Sequence, residues 1–479
     1  MTTRRDAIAA LTGAAASLST KGVLAATDDK KKSAPVKPAK LERPSSKKDR
    51  IPFLPAGEAR TFPIDYDYVE EEWFASGTDD TGRPYMTQVV VRRPRDPKRF
   101  SGVLITEPLH AARVAPIYMY SSRYIMRSGH AWACIASQKT ALDDHVKKTD
   151  PEYYAALHIE GDPVPPTANA APGDAARIAA MMSRMESLNQ ASNAILAQVG
   201  AALRTQGPMA GYHLRHVLLV GHSQTGVVSS LFIHKGHERY RLAGGAPVFD
   251  GYFPSGYPGP VYGPRDVPLI QVVSDSDVSD TASFLLRGAG RAYRRPDSDD
   301  PRDRYRLYEL AGMPHMGTRN PPNSDPKPWS ERNPGVIKPD SVMNSLPHNE
   351  IFNMALDHLV QWVGRGVQPP RADRIEIGAD GNSFAKDEHG NSRGGVRCVQ
   401  MDVPHATSIP NPRNADGSLL FGTFGFEVPF EKAKMQQLYG TPAVYVQRFN
   451  RRLEELIQQG WFLGADATNM RDEALVQIF

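Results

Sequence analysis

The sequence predicts an α/β fold, with a mostly parallel central sheet carrying helices on both faces. Three observations predict it. Residues Val217 to Val220 form a short apolar run that enters a Gly-x-Ser-x-x-Gly turn, Gly221 to Gly226, and leaves it with a helical pattern through Val227, Val228, Leu231 and Phe232. A second apolar run, Pro268 to Val273, ends in the carboxylate-rich turn Ser274 to Asp277. A third, Tyr305 to Leu310, ends in a Gly-Met-Pro loop carrying His315. Short apolar runs alternating with helical patterns are the signature of a parallel sheet.

The elements follow in order along the chain. Thr87 to Arg92 and Gly102 to Thr106 read as early strands, and Trp132 to Ala136 as a central one. Residues 137–172 are polar, proline-rich and long for a connection, so they are expected to cover a site. Ile178, Met181, Met182, Met185 and Leu188 recur at helical spacing; core packing is the simpler reading, and a Met-lined acyl pocket the sharper one. The Pro- and Asn-rich segment 318–346 is a second candidate lid. Residues 375–402 hold Gly-rich turns and short strands, and Tyr445, Phe449, Leu453, Leu456 and Ile457 form a helical stripe that packs on the domain.

The strand–turn–helix around Ser223 is the setting in which a serine becomes an exposed nucleophile, with Gly221 and Gly226 supplying the small flanks that the tight turn needs. A nucleophilic serine needs a base, and the base needs an orienting acid. The order Ser223, Asp277, His315 is the Ser–Asp–His order of α/β hydrolases, and each residue lies just past a predicted strand end. In an open parallel sheet those ends face one crevice. Asp277, four residues past Val273, is favoured as the acid over Asp275, which is two past it and suits a turn cap; Asp250 is third. Of fourteen histidines, His315 alone combines a strand end, a tight turn and the right chain order. His222 and His110 lie near the site without needing to act, and His234 and His237 are expected on an exposed helix face. The oxyanion donors are expected to be the backbone N–H of Gln224 and one from the loop after the strand ending at Thr106. Pro108 has no N–H, so that donor is Leu109 or His110, with Leu109 taken first; Glu107 braces this loop or is a solvated acid.

These stretches also resemble a known group. Val91 to Leu109, Gly221 to Gly226, Tyr308 to His315, Gly394 to Pro404, and the end segment with Leu438, Tyr439, Gly440, Tyr445 and Phe449 are similar to the bacterial alpha/beta hydrolase domain-containing protein family, over roughly residues 51–479. The chain departs from that pattern at Val227, where an arginine is expected, and at Asp275, where a glutamate is expected. The resemblance implies an α/β-hydrolase fold with lid and C-terminal elaborations, and a serine hydrolase of the α/β-hydrolase superfamily. A carboxylic ester, small or polymeric, is the expected substrate class. An acyltransferase using the same triad, or a catalytically silent binding protein on the same fold, are the alternatives.

No metal or cofactor is expected. The two cysteines, Cys134 and Cys398, lie far apart, and no His-Glu-x-x-His, no Gly-x-Gly-x-x-Gly opening a helix and no Gly-Lys-Ser/Thr loop occurs. Cys134 sits in an apolar run and reads as a small buried hydrophobe. Thr3, Arg4, Arg5 and Asp6 precede a weakly apolar stretch from Ala7 to Leu18, and Val23 to Ala25 offers small residues for cleavage. Residues 1–25 therefore read as a twin-arginine-like signal, implying transient contact with the export machinery and a periplasmic or secreted enzyme without stable membrane insertion. Residues 26–50, poor in large apolar side chains, read as a disordered basic linker, leaving 51–479 as the hydrolase domain. The first two segments carry +2 and +5 of the formal +4, so the body is at −3, which argues against nucleic acid as a partner.

Overall fold

Strands buried on both faces read as continuous apolar runs, and the strand carrying Val217 to Val220 is one: all four side chains are fully buried. A computed structural model describes residues 35–44, 66–111, 114–161, 191–278, 293–317, 342–381, 383–411, 425–476 and 479. These belong to one compact unit, Pro35–Phe479.

The main sheet contains β1 (Lys40–Glu42), β2 (Tyr68–Thr78), β3 (Pro84–Pro94), β4 (Val103–Pro108), β5 (Ala131–Ile135), β6 (His158–Ile159), β7 (His216–His222), β8 (Gly251–Ser255), β9 (Leu269–Ser274), β10 (Ser298–Asp300) and β11 (Asp303–Leu310). Its order is β1-β2-β3-β5-β4-β7-β8-β9-β11-β10, with β6 on β3. The run β5-β4-β7-β8-β9-β11 is parallel throughout. The strands β1, β2, β3 and β10 add antiparallel edges. The chain passes outward from β4 to β5 and then returns across the sheet to β7, so strand order reverses between β4 and β7. Crevices for ligands open at such reversals, outside the carboxyl ends of the strands.

Helix α1 (Pro116–Arg127) packs against α4 (His348–Arg365) over one face, and α2 (Ser192–Leu203) against α3 (Gln224–Leu231) over the other. β12 (Val342–Met343), just before α4 in the chain, and β13 (Ala406–Ile409) and β14 (Phe426–Pro429), after it, make a small antiparallel sheet in the order β12-β14-β13. The last helices are α5 (Lys432–Tyr439), α6 (Pro442–Gln458) and α7 (Ala467–Leu475). The expected stripe on α6 buries Tyr445, Phe449, Leu453 and Leu456, while Ile457 is half-buried.

Two expectations need correction, and a third lies partly outside the described residues. Residues 35–44, assigned to a disordered linker, join the fold: β1 pairs with β2, Ala39 is buried, and the Ala39 N–H donates to the Gln198 carbonyl at 3.0 Å. An edge strand is held by backbone bonds and needs few large side chains, so composition misses it. His237 is not exposed. The regular helix ends at Leu231, and the His237 ring is buried between the Tyr252 hydroxyl (2.8 Å) and Asp266 (2.8 Å). Of the expected cover 137–172, the part to residue 161 forms short helical segments and β6, which pairs antiparallel with β3. The remainder, the methionine stripe and 318–341 lie outside the described residues, as do the signal segment and 45–65. Cys134 and Cys398 are both buried free thiols.

Candidate active site

The turn after β7 forces Ser223 into φ 59°, ψ −125°, a left-handed conformation unusual for a side-chain-bearing residue. Holding such a residue costs roughly 1–3 kcal/mol and is sustained only where the surroundings over-determine it. Here they do. The Ser223 N–H donates to the Ser255 carbonyl at 3.0 Å, and Thr225 Oγ1 accepts from the His222 N–H at 2.9 Å. A Cβ on Gly221 would lie 2.3 Å from the Thr225 carbonyl oxygen, and one on Gly226 would lie 2.2 Å from that of Ser255. Both glycines are therefore demanded by close backbone approach, as the motif predicts.

The parallel pairing of β9 with β11 sets their carboxyl ends side by side. Asp277 lies in the helical turn Asp275–Val278 after β9, and His315 in the loop after β11. His315 Nε2 is 2.7 Å from Ser223 Oγ, and His315 Nδ1 is 2.5 Å from Asp277 Oδ1. A carboxylate only accepts, so Nδ1 carries the proton and Nε2 is left to accept from the serine hydroxyl. Asp277 Oδ2 accepts from the Ser274 N–H at 2.8 Å, which fixes the carboxyl plane. Its side chain is only 5 % exposed. Burial pushes the Asp277 carboxyl up, but attraction to and hydrogen bonding with His315 outweigh it and hold the group below the usual carboxylate value.

The other two acids do not meet the imidazole. Asp275 is buried and accepts from the Gly312 N–H (3.0 Å) and Ser392 Oγ (2.5 Å), tying the end of β9 to the loop after β11. Asp250 accepts from Arg204 (2.6 Å) and the Val217 N–H (2.7 Å), at the opposite end of β7.

His222 does more than lie nearby. Its ring stacks on His315 with centroids 4.8 Å apart, and its Nε2 is 3.0 Å from the His315 carbonyl oxygen. That carbonyl can only accept, so Nε2 is protonated, and Nδ1 lies 3.1 Å from the Ser255 hydroxyl, which also reaches the Gly221 carbonyl at 3.0 Å. Burial, then the adjacent His315, holds the His222 pKa well below the ordinary range and keeps the ring neutral. His348, the first residue of α4, was not singled out in the sequence. It is stacked on Phe352 at 4.5 Å and lies 4.7 Å from Tyr120, closing an aromatic wall behind the site. Burial brings its pKa down to about 3. Its stacking partner Phe352 lies one turn on in α4, while its other ring neighbours, Tyr120 and His222, come from α1 and β7 and leave no local signal in the sequence.

Across the strand reversal, Glu107 at the end of β4 is a brace and not a solvated acid. It is fully buried and accepts from the N–H groups of Ile117 (2.7 Å) and Tyr118 (3.0 Å) in the first turn of α1, and from Trp132 Nε1 (3.2 Å). Burial pushes its carboxyl up to about 7 against those three donors. Gln224 opens α3, where backbone N–H groups have no intrahelical acceptor. Leu109 does not fit the role of second oxyanion donor. Its N–H is spent on the Ile135 carbonyl at 2.8 Å, and that of His110 on Val114 at 3.0 Å. The Ala111 N–H instead points to Gln224 Oε1 at 3.1 Å.

Among the described residues, no group of three or more His, Cys, Asp or Glu side chains is arranged to hold a metal, and no helix is long and apolar enough to cross a membrane.

Among solved structures, the chain is similar to the esterase Est22 at 9 % identity, covering 51 % of this chain and 74 % of that one, with a TM-score of 0.28. It is also similar to Candida antarctica lipase A in its closed state, at 12 % identity, 56 % and 51 % coverage and a TM-score of 0.24. A third is the rice cell wall degrading esterase LipA from Xanthomonas oryzae, at 13 % identity, 39 % and 42 % coverage and a TM-score of 0.20. No curated protein matches the sequence. Residues 35–472, starting at the segment that contributes the edge strand β1, match the model of the family described as alpha/beta hydrolase domain, and the chain belongs to that family.

Proposed function

We propose that the chain is an exported serine hydrolase that cleaves a carboxylic ester through a covalent acyl-enzyme, with Ser223 as nucleophile, His315 as base and acid, and Asp277 as the orienting carboxylate. The observation that carries this reading is the continuous relay from Ser223 Oγ to His315 Nε2 (2.7 Å) and from His315 Nδ1 to Asp277 Oδ1 (2.5 Å). Ser223 Oγ attacks the ester carbonyl carbon as its proton passes to Nε2, and the carbonyl electron pair moves onto oxygen. The Gln224 N–H stabilises that oxyanion. Collapse expels the alkoxide, which takes the proton from Nε2 and leaves as the alcohol. Water then attacks the acyl carbon, giving its proton to Nε2, and collapse returns the proton to Ser223 Oγ and releases the acid. Asp277 stays a carboxylate throughout and stabilises the imidazolium formed at each step.

Export is proposed on Arg4, Arg5, the weakly apolar stretch to Leu18 and the small residues before Ala26. The enzymatic reading is tested by incubating purified protein with a fluorophosphonate and locating the adduct by mass spectrometry. The expected result is one adduct on Ser223, absent in Ser223→Ala, together with turnover of p-nitrophenyl esters. A folded protein that takes no adduct would be a binding protein on a hydrolase fold instead. Transfer of the acyl group to an added alcohol in preference to water would make it an acyltransferase.

A further inference from the structure

Pro108 closes β4, and Leu109, His110 and Ala111 begin the loop after it; among these described residues hydrogen-bond accounting leaves one candidate donor. Pro108 has none, the Leu109 N–H is committed to Ile135 and the His110 N–H to Val114. The Ala111 N–H, 3.1 Å from Gln224 Oε1, is bound to a side chain, and to the side chain of the residue next to Ser223. That side chain is itself held. Gln138, fully buried, donates through Nε2 to the Leu109 carbonyl (2.9 Å) and to Gln224 Oε1 (3.3 Å), and it accepts from Gln224 Nε2. The amide orientations are fixed by the backbone groups at each end: Ala111 N–H requires an oxygen from Gln224, and the Leu109 carbonyl requires a nitrogen from Gln138.

We propose that the Ala111 N–H is the second oxyanion donor, and that the Gln224 side-chain oxygen is its resting occupant, displaced by the substrate's oxygen as charge develops. This rests on the acyl-enzyme reading above. The backbone N–H and the side-chain carbonyl of Gln224 then serve one site in two states. A neutral ester carbonyl gains little by displacing a neutral amide oxygen that is already in place. An oxyanion gains a charge-assisted bond, which is roughly twice as strong. The exchange therefore favours the transition state over the bound ester, which is the kind of interaction that raises turnover. Gln138 acts as a positioning residue, holding the loop through Leu109 and receiving the carboxamide.

The test uses Gln224→Ala and the near-isosteric Gln224→Met, which both keep the backbone N–H and remove the competing acceptor. The readouts are kcat/KM on a p-nitrophenyl ester and inhibition by phenylboronic acid. In that adduct Ser223 Oγ forms the O–B bond, its proton passes to His315, and the boron becomes tetrahedral and anionic, with one of its hydroxyl oxygens in the oxyanion position. Both variants are expected to bind the boronate about five-fold tighter and to raise kcat/KM by a similar factor, the worth of one neutral hydrogen bond. Gln224→Glu, with a stronger acceptor in the same place, is expected to move both in the opposite direction. Boronate binding unchanged or weaker in both Gln224→Ala and Gln224→Met, while the wild type still takes the fluorophosphonate on Ser223, overturns the displaceable occupant and leaves the triad standing. A wild type that takes no adduct overturns both.

Discussion

Asp277 and Asp275 lie two residues apart at the end of one strand, and replacing each by asparagine should separate activity from stability. Asp277 uses one oxygen on His315 Nδ1 (2.5 Å) and the other on the Ser274 N–H (2.8 Å). Asparagine has a single oxygen. With that oxygen kept on Ser274, its NH2 faces Nδ1, which must become an acceptor and send the ring proton to Nε2. The base then presents a donor to Ser223 where it needs a lone pair. This tautomer error costs about ten-thousand-fold in the trypsin triad, or about 5.5 kcal/mol in the barrier at 1.36 kcal/mol per tenfold. Asp275 places one oxygen on both Gly312 N–H and Ser392 Oγ, and an asparagine oxygen can receive both. Burial pushes the Asp275 carboxyl up, so a neutral side chain also removes a buried charge. Asp275→Asn should keep turnover within a few-fold and change stability by no more than about 1–2 kcal/mol. The assay is steady-state and burst hydrolysis of p-nitrophenyl acetate, with urea unfolding alongside. Because the Asp277 carboxyl is held below its ordinary 3.8, its charged interactions stabilise the fold above about pH 4 and are lost as pH falls through the depressed value. The stability gap between wild type and Asp277→Asn should therefore narrow in acid. Asp275→Asn losing ten-thousand-fold while Asp277→Asn stays active would refute the assignment.

Ser223→Ala, His315→Ala and the double variant should each lose on the order of a millionfold in turnover, because the residues act as one unit; additive losses in a folded double variant would break that unit. Burial raises the Glu107 carboxyl from 4.5 to about 7, so its contribution to stability is fully present below about pH 4.5 and is lost as pH rises through 7, on the order of 3 kcal/mol. Glu107→Gln should flatten that slope in a urea-unfolding series between about pH 4 and 8, which brackets the shift, and an unchanged slope would count against it. Arg4→Lys with Arg5→Lys should leave active, full-length protein in the cytoplasmic fraction, while the wild type appears in the periplasm beginning near Ala26; uncleaved wild type confined to the cytoplasm would remove the export proposal.

The parts of the site that were legible in the sequence are those whose cause is local. The run from Val217 to Val220 is apolar because β7 is buried on both faces, and Gly221 and Gly226 are glycines because a Cβ at either would meet a backbone oxygen within 2.3 Å. Asp277 could be preferred to Asp275 by counting residues past Val273. The misreadings have non-local causes. The Leu109 N–H is consumed by Ile135, a residue of the neighbouring strand β5. His237 is buried by Tyr252 and Asp266, which lie on later elements. Residues 35–44 are ordered by pairing with β2, which their composition does not report.

Topology explains where that line falls. From β7 through β8 and β9 to β11, spatial order follows chain order, with β10 outside on the edge. Strand ends met in sequence are therefore neighbours in space, and Ser223, Asp277 and His315 can be found simply by reading forward from one carboxyl end to the next. The loop proposed to complete the oxyanion site belongs to β4, on the far side of the reversal, where the chain has gone out to β5 and come back. What its N–H groups do depends on β5, through Ile135, and on the loop that follows β5, through Gln138. A reader moving along the chain meets those partners as unrelated residues. The half of the site proposed to move protons is written in sequence order, while the loop proposed to receive negative charge is written across the switch point and emerges only when the strands are laid side by side.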